Sequence, residues 1–176
     1  MSGVVYRSAT PAEADAIVAL VESAFRGEAS KVGWTTEADL LGGRRTGPDE
    51  IAGVLANHDQ CLLVRPEPDG SLLASVVLTH EADFAWLGML AVRPGTQQGG
   101  VGRDLLAAAE RWVRQHWGAR RMRMKVIRQR DELVAWYERR GYRRTGETAP
   151  FPYGDERFGL PKRPDLEFVI LEKTLQ

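Results

Sequence analysis

The chain has 176 residues, 43% of them hydrophobic, enough for one sizeable core, whereas two independent domains would each be small. Its 24 Lys and Arg balance 24 Asp and Glu, so no net field draws it onto nucleic acid or an anionic membrane. A single cysteine, Cys61, excludes an internal disulfide and a cysteine-based metal cluster, and His58, His80 and His116 stand singly, without ligand spacing, so no metal is expected.

No apolar run approaches the ~18 residues needed to span a bilayer. Met1 to Thr10 lacks a basic region leading into an apolar stretch, which predicts a cytoplasmic protein with one domain over 1–176. Val4 to Ser8 reads as a strand. Thr10-Pro11-Ala12-Glu13 is a capping box with Pro at the first helical position, and Ile17, Leu20, Val21, Ala24 and Phe25 give the following helix its apolar face. A polar stretch from Gly27 to Gly47 leads to a short helix after Pro48 that carries Ile51, Val54 and Leu55. Strands at Gln60 to Arg65 and Leu72 to His80 are joined by the turn Glu67-Pro68-Asp69-Gly70, and Cys61 reads as a buried strand thiol beside Leu62, Leu63 and Val64. Phe84 to Val92 is the next strand.

From Leu90 to Leu106 the chain leaves that strand, passes a glycine-rich turn and enters a helix. Glycines take positive φ and let main-chain N–H groups approach an anion, and the helix adds the positive end of its dipole, so a pyrophosphate is the expected ligand. Val101, Leu105, Ala108, Ala109, Trp112, Val113 and His116 share one helical face. Arg103, Glu110 and Arg114 lie opposite, with Glu110 and Arg114 spaced as an ion pair, and Gly118 is placed to end the helix. A Walker loop is excluded because Arg103 and Asp104 follow Gly102, and a dinucleotide fingerprint because Leu105 fills the third glycine's place.

Between this helix and the next, Met122, Met124 and Val126 alternate with charged residues of a basic run, Arg120 to Arg130. That pattern reads as a half-buried strand and not as a nucleic-acid patch. Leu133, Trp136, Tyr137 and Arg140 share a face of a short helix that Asp131 can cap and Gly141 can end, and Tyr142 starts a strand. Leu166 to Leu171 is the last strand. Two segments fit no regular element, Gly27 to Gly47 with Trp34, Glu37, Arg44 and Arg45, and Thr148 to Asp165 with Phe151 and Tyr153. Long connections of this kind carry specificity.

Gln97-x-x-Gly100-x-Gly102, preceded by Gly88-Met89-Leu90-Ala91-Val92 and Pro94, resembles motif A of the GNAT superfamily of acetyl-coenzyme-A-dependent N-acyltransferases. Tyr137-x-x-x-Gly141-Tyr142 is similar to that family's motif B, and the order of elements fits its α/β fold, a mixed, mostly antiparallel sheet flanked by helices. The resemblance implies acetyl-CoA as co-substrate, held by Leu90, Ala91, Val92, Gln97, Gln98, Gly99, Gly100, Val101, Gly102 and Arg103. It implies that Tyr137 protonates the departing thiolate, and that the two irregular segments flank an acceptor cleft, to which Trp34, Trp86, Phe151 and Tyr153 would contribute.

Two positions depart from the family pattern. Arg130 stands where an Asn is common, and Trp86 stands where many members carry the Glu that acts as base. That leaves a water, Glu37 or Asp83 to take the amine's proton. The expected activity is direct acetyl transfer to a primary amine of a small molecule or peptide, by a monomer or homodimer. A coenzyme-A-binding sensor without turnover is the alternative. Both cleft segments mix acids and bases, so the sequence alone selects no charge for the acceptor.

Overall fold

The computed structural model describes residues 4–26, 30–31, 36–96 and 99–176. Trp34, Gln97 and Gln98 lie outside them. The capping box forms as the sequence predicts: Glu13 Oε1 accepts from Thr10 N at 2.9 Å, a 3₁₀ turn runs Pro11–Glu13, and helix α1 follows over Ala14–Phe25. Strand β1 is only Arg7–Ser8, shorter than expected because Val4 and Val5 find no apolar cover and are 54% and 58% exposed. Helix α2, Pro48–Ala56, opens on its proline as read.

Strands β3 (Gln60–Pro66), β4 (Leu72–Glu81) and β5 (Phe84–Val92) form an antiparallel meander. Helix α3 (Val101–Trp117) crosses from β5 to β6 (Arg121–Ile127), and helix α4 (Asp131–Glu138) follows. The other strands are β2 (Leu41–Gly42), β7 (Arg143–Pro150), β8 (Leu160–Pro161) and β9 (Glu167–Thr174). Seven of them make one sheet in the order β1-β3-β4-β5-β6-β9-β7, antiparallel throughout except for the β5–β6 pair. That parallel pair needs a crossover, and α3 supplies it.

Both faces of this sheet are covered around β4, which explains why Leu72 to Leu78 are all buried and all but Ser75 apolar. On one side α3 and α4 bury Leu105, Leu106, Val113, Leu133 and Tyr137 against Leu87, Leu90, Met122, Met124 and Leu171. On the other, α1 and α2 bury Ile17, Leu20, Val21, Phe25, Ile51 and Val54 against Leu62, Val64, Val77 and Ala91. Cys61 is a buried strand thiol, with Ser8 Oγ 3.5 Å from its sulfur.

Several local expectations need correction. His116 does not join the buried face of α3; it is exposed and stacks on Trp112, ring centroids 4.1 Å apart. Glu110 pairs with Lys173 of β9 at 2.5 Å and not with Arg114, because the neighbouring strand offers a better placed cation. Helix α4 has Arg130 at its N-cap and no side-chain cap bond, and Asp131 sits inside its first turn, where a carboxylate still meets the helix dipole favourably. The two segments read as irregular hold short strands, β2 in one and β8 in the other, which pair with each other as a separate two-stranded sheet. No helix among the described residues is long and apolar enough to cross a membrane.

The Glu13 carboxylate accepts from Arg7 at 2.7 and 2.9 Å as well as from Thr10, and these bonds, Arg7 first, hold its pKa down to about 2. A carboxyl whose folded pKa lies below its unfolded value stabilises the fold above the unfolded pKa and loses that contribution as pH falls through the folded one. Glu13→Ala is therefore expected to lower stability at pH 7 by about 1 kcal/mol, the usual worth of a cap. The difference from wild type in chemical denaturation should shrink as pH drops from 5 toward 2. A constant difference across that window would assign the loss to packing.

Candidate active site

At the exit of β5, Pro94 and Gly95 turn the chain, and Thr96 Oγ1 closes the turn on Arg93 O at 2.6 Å. Gly100 sits at the N-cap of α3 with φ 76°, a left-handed conformation that a side chain would strain. The first intrahelical bond of α3 is Asp104 N to Gly100 O at 3.0 Å. The amides of Val101, Gly102 and Arg103 therefore have no acceptor within the helix and face outward with the positive end of a 17-residue dipole. This is the chemistry that holds a pyrophosphate.

Just before this turn, β5 breaks its alternation. Leu87 and Leu90 both enter the α3 side of the core, while Met89 and Ala91 face α1, and the extra residue is accommodated by Met89 at φ 48° and a register shift against β4. The parallel β5–β6 ladder stops at the same place: Phe84 to Leu87 pair with Arg121 to Met124, and nothing beyond is paired. A cavity of about 90 Å³ opens where the strands part, lined by Leu87 to Leu90 on one side and Met124 to Ile127 on the other. Gly88 borders it with no atom within 4 Å of where a Cβ would stand.

Tyr137 enters this cavity from α4, on the same face as Leu133. It is buried, and burial pushes its pKa up to about 12 against the pull of the Arg130 charge. Across neutral pH the phenol therefore carries its proton. From the opposite face come Phe25, Glu37 and Arg45. Glu37 is fixed by its own backbone, N to Phe25 O at 2.9 Å, and its carboxylate meets Arg26 at 2.6 Å, Arg130 at 3.3 Å and Arg45 at 3.9 Å. Burial alone would raise this carboxyl, yet Arg130, Arg45 and Arg26 together hold it below its ordinary value. A carboxylate so engaged is a weak proton acceptor.

The structure thus brings Tyr137, Glu37 and Leu90 around one cavity, with Ala91, Val92 and the Gly99–Arg103 turn continuing from it along the chain. It does not bring the expected aromatic wall there. Trp86 precedes the bulge and lies on the sheet face, its indole donating to Glu81 at 2.7 Å and Arg123 and Lys125 lying 5.2 and 5.4 Å over its ring. Phe151 is core in a cluster with Leu41, Ile127 and Leu166. Tyr153 is tied to its own loop, its hydroxyl donating to Arg163 O at 2.7 Å and accepting from Leu166 N at 2.9 Å. Asp83 sits in the β4–β5 turn, at the far end of β5 from Leu90, paired with Arg121 at 3.0 Å. Phe25, Arg45, Lys125 and Arg130 line the cavity without having been singled out as site residues. For Arg130 the signal was present in its spacing, two helical turns before Tyr137. Among the described residues no three His, Cys, Asp or Glu side chains gather as metal ligands.

A mostly antiparallel sheet whose one parallel pair parts over a cavity, followed by a glycine-opened helix, defines the fold of acetyltransferases that use a coenzyme A thioester. The chain belongs to the acetyltransferase (GNAT) family, whose sequence profile matches residues 17–142. That family uses acetyl-CoA. Among solved structures, the ribosomal-protein-S18-alanine N-acetyltransferase from Escherichia coli superposes with a TM-score of 0.73 at 16% identity, covering 99% of this chain and 95% of its own. An N-acetyltransferase from Staphylococcus aureus Mu50 gives 0.71 at 12% identity, with 99% of each chain covered. The PaiA N-acetyltransferase from Thermoplasma acidophilum, in complex with coenzyme A, gives 0.66 at 17%, covering 98% of this chain and 99% of that one. At these identities the likeness is one of fold. No curated protein matches the sequence.

The raised pKa of Tyr137 has a consequence for stability. Because folding raises it from 10 to about 12, its contribution is complete below pH 10 and is lost as pH climbs from 10 through 12. Two units correspond to about 2 to 3 kcal/mol. Tyr137→Phe keeps the ring and cannot ionise, so between pH 10 and 12 the variant should lose less stability than wild type in urea denaturation. Parallel losses would place the hydroxyl in contact with water in the folded state.

Proposed function

We propose that this protein transfers an acetyl group from acetyl-CoA directly to a primary amine of a small molecule or peptide. The observation that carries the reading is the Tyr137 hydroxyl, kept protonated by burial, inside the cavity where β5 and β6 part. Main-chain amides from Gly99 to Arg103 would meet the coenzyme's pyrophosphate, and the strand edge from Leu90 to Val92 would hold its pantetheine arm. Fixed N–H dipoles at the bulge would polarise the thioester oxygen as negative charge gathers there. The amine nitrogen bonds to the carbonyl carbon, the carbon–sulfur bond breaks, Tyr137 passes its proton to sulfur and water takes the proton from nitrogen.

Glu37 fits this scheme as the anion that gathers three guanidiniums and not as the base. Its oxygens are already engaged, and proton transfer to it would discharge the carboxylate that Arg26, Arg130 and Arg45 surround. Trp86 in place of the family's Glu favours the alternative of a coenzyme-A sensor without turnover, and thiol release across a panel of amines separates the two readings.

Tyr137→Phe is expected to lower turnover by about 10²- to 10⁴-fold while coenzyme binding stays close to wild type. Binding is read from the thermal shift, about 2.7 kcal/mol at a hundredfold excess over the dissociation constant. Normal turnover in the variant would remove the acid assignment. Glu37→Gln should cost about 3 kcal/mol of stability, the range for removing one partner from a buried ion pair. A stable Glu37→Gln protein that binds acetyl-CoA but does not turn over would restore Glu37 as base.

A further inference from the structure

Charge around the acceptor side of the cavity is unbalanced. Among the described residues its lining includes Arg45, Lys125 and Arg130 against one carboxylate, Glu37. Arg26 stands behind Glu37 with its side chain 6% exposed, and its Nε and Nη2 have no hydrogen-bond partner among the described residues. The next carboxylate, Glu22, is spent on backbone, accepting from Arg45 N at 2.6 Å and Thr46 N at 2.8 Å, and the hollow it shares with Arg26 adds another cation, Lys162. The Arg26 and Arg130 side chains are at most 9% exposed, that of Arg45 is 24% exposed and Lys125 is exposed, so the desolvated part of this cationic surplus lies beside Glu37, where an added anion would offset its cost.

Arg45 is the residue placed to receive that anion. Its closest approach to Glu37, 3.9 Å, is too long for a hydrogen bond, and its guanidinium makes no other side-chain bond among the described residues, resting over Phe25 at 5.4 Å. An unspent guanidinium fork matches a carboxylate in two parallel bonds, worth more than a neutral contact. Glu37 and Arg45 come from the segment between α1 and α2, across the sheet from α3, so the coenzyme's phosphates are met elsewhere.

We infer that the acceptor amine carries a carboxylate within a few bonds of its nitrogen, as a free amino acid does, and that Arg45 holds this carboxylate with Arg130 and Arg26 behind it. The cavity admits a small headgroup of this kind. This rests on the acyl-transfer reading above and gives its substrate class. Arg130 completes the arrangement: it bonds Glu37 Oε2 at 3.3 Å and is the N-cap of the helix that presents Tyr137, so the anion site and the proton donor share a support.

The test measures thiol release with each of the 20 common amino acids, its carboxamide and its decarboxylated amine. It is joined to calorimetry of the N-acetyl amino acids and their amides against the protein saturated with coenzyme A. Acids should exceed their amides in kcat/KM by about 10- to 100-fold, the worth of a charged hydrogen-bonded pair. Arg45→Met should collapse that ratio toward one, and Arg45→Lys, which keeps the charge but not the fork, should leave it partly intact. Amides or simple amines turned over as well as acids would overturn the inference and leave acyl transfer standing. Acid-selective binding without turnover, lost in Arg45→Met, would support the anion site and remove the acyltransferase reading. Neither turnover nor acid-selective binding would overturn the anion site as well.

Discussion

At Leu87 and Met124 the central parallel ladder stops while both strands continue, and the rest of the site depends on that interruption. A sheet gives up cross-strand hydrogen bonds only where something else can meet the freed backbone groups. Here the bulge at Met89 turns β5 aside, so that β4 keeps its pairing to Val92 on one edge while the other edge opens toward a cavity. On the far side β6 stays zipped to β9 through Ile127, which keeps the opening one strand wide. Rigid neighbours on both sides make the gap a fixed feature, and a thioester threaded along it would find oriented amides and not mobile water.

Electrostatics divides that gap into two halves with different chemistry. Toward α4 the surroundings are apolar, Leu133, Met124 and the Tyr142 ring set edge-on to Tyr137, and this desolvation keeps the Tyr137 phenol from ionising. Toward α1 the lining is cationic, arranged around Glu37. Arg130 belongs to both halves, since it bonds Glu37 and lowers the Tyr137 pKa by its charge, opposing the larger effect of burial. Without that charge the phenol would hold its proton more tightly still, further from the basicity of a thiolate, and would be a poorer donor to it.

Much of this was legible in sequence because it rests on local rules. The capping box at Thr10, the proline entry at Pro48, the hairpin at Asp69-Gly70 and the helix opened by Gly100 each follow from residue types at fixed spacing. Tyr137 could be placed because helical spacing set it on a buried face. What escaped was non-local or lacked periodicity. The β2–β8 pairing joins residues over a hundred positions apart through two-residue strands, too short to carry a pattern. The strand read from Tyr142 forms as β7, but its end, Thr148–Pro150, fell in the segment read as irregular, because β7 is an exposed edge with a register break and its side chains do not alternate. The Glu37 cluster draws on α1, two loop positions and the N-cap of α4, and no spacing rule connects them. Trp86 was misplaced for a related reason, since the bulge that decides which side chains reach the cavity lies three residues after it, at Met89.

The two segments that resisted assignment are joined to each other more firmly than to the coenzyme side. Strand β2 pairs with β8, Lys162 Nζ donates to Ala38 O at 2.6 Å, and Leu41 packs with Phe151, Leu166 and Ile127, the last residue of β6. Ala38 is the immediate neighbour of Glu37, so this small sheet fixes the backbone from which the anion reaches Arg26, Arg45 and Arg130. Substitutions within the small sheet would thus act on the acceptor half through the position of Glu37, while the helix that carries Tyr137 and the turn at Gly100 stay anchored in the separate core of α3 and α4. A fold organised in this way can change the chemistry of its acceptor without disturbing the strands that part for the thioester.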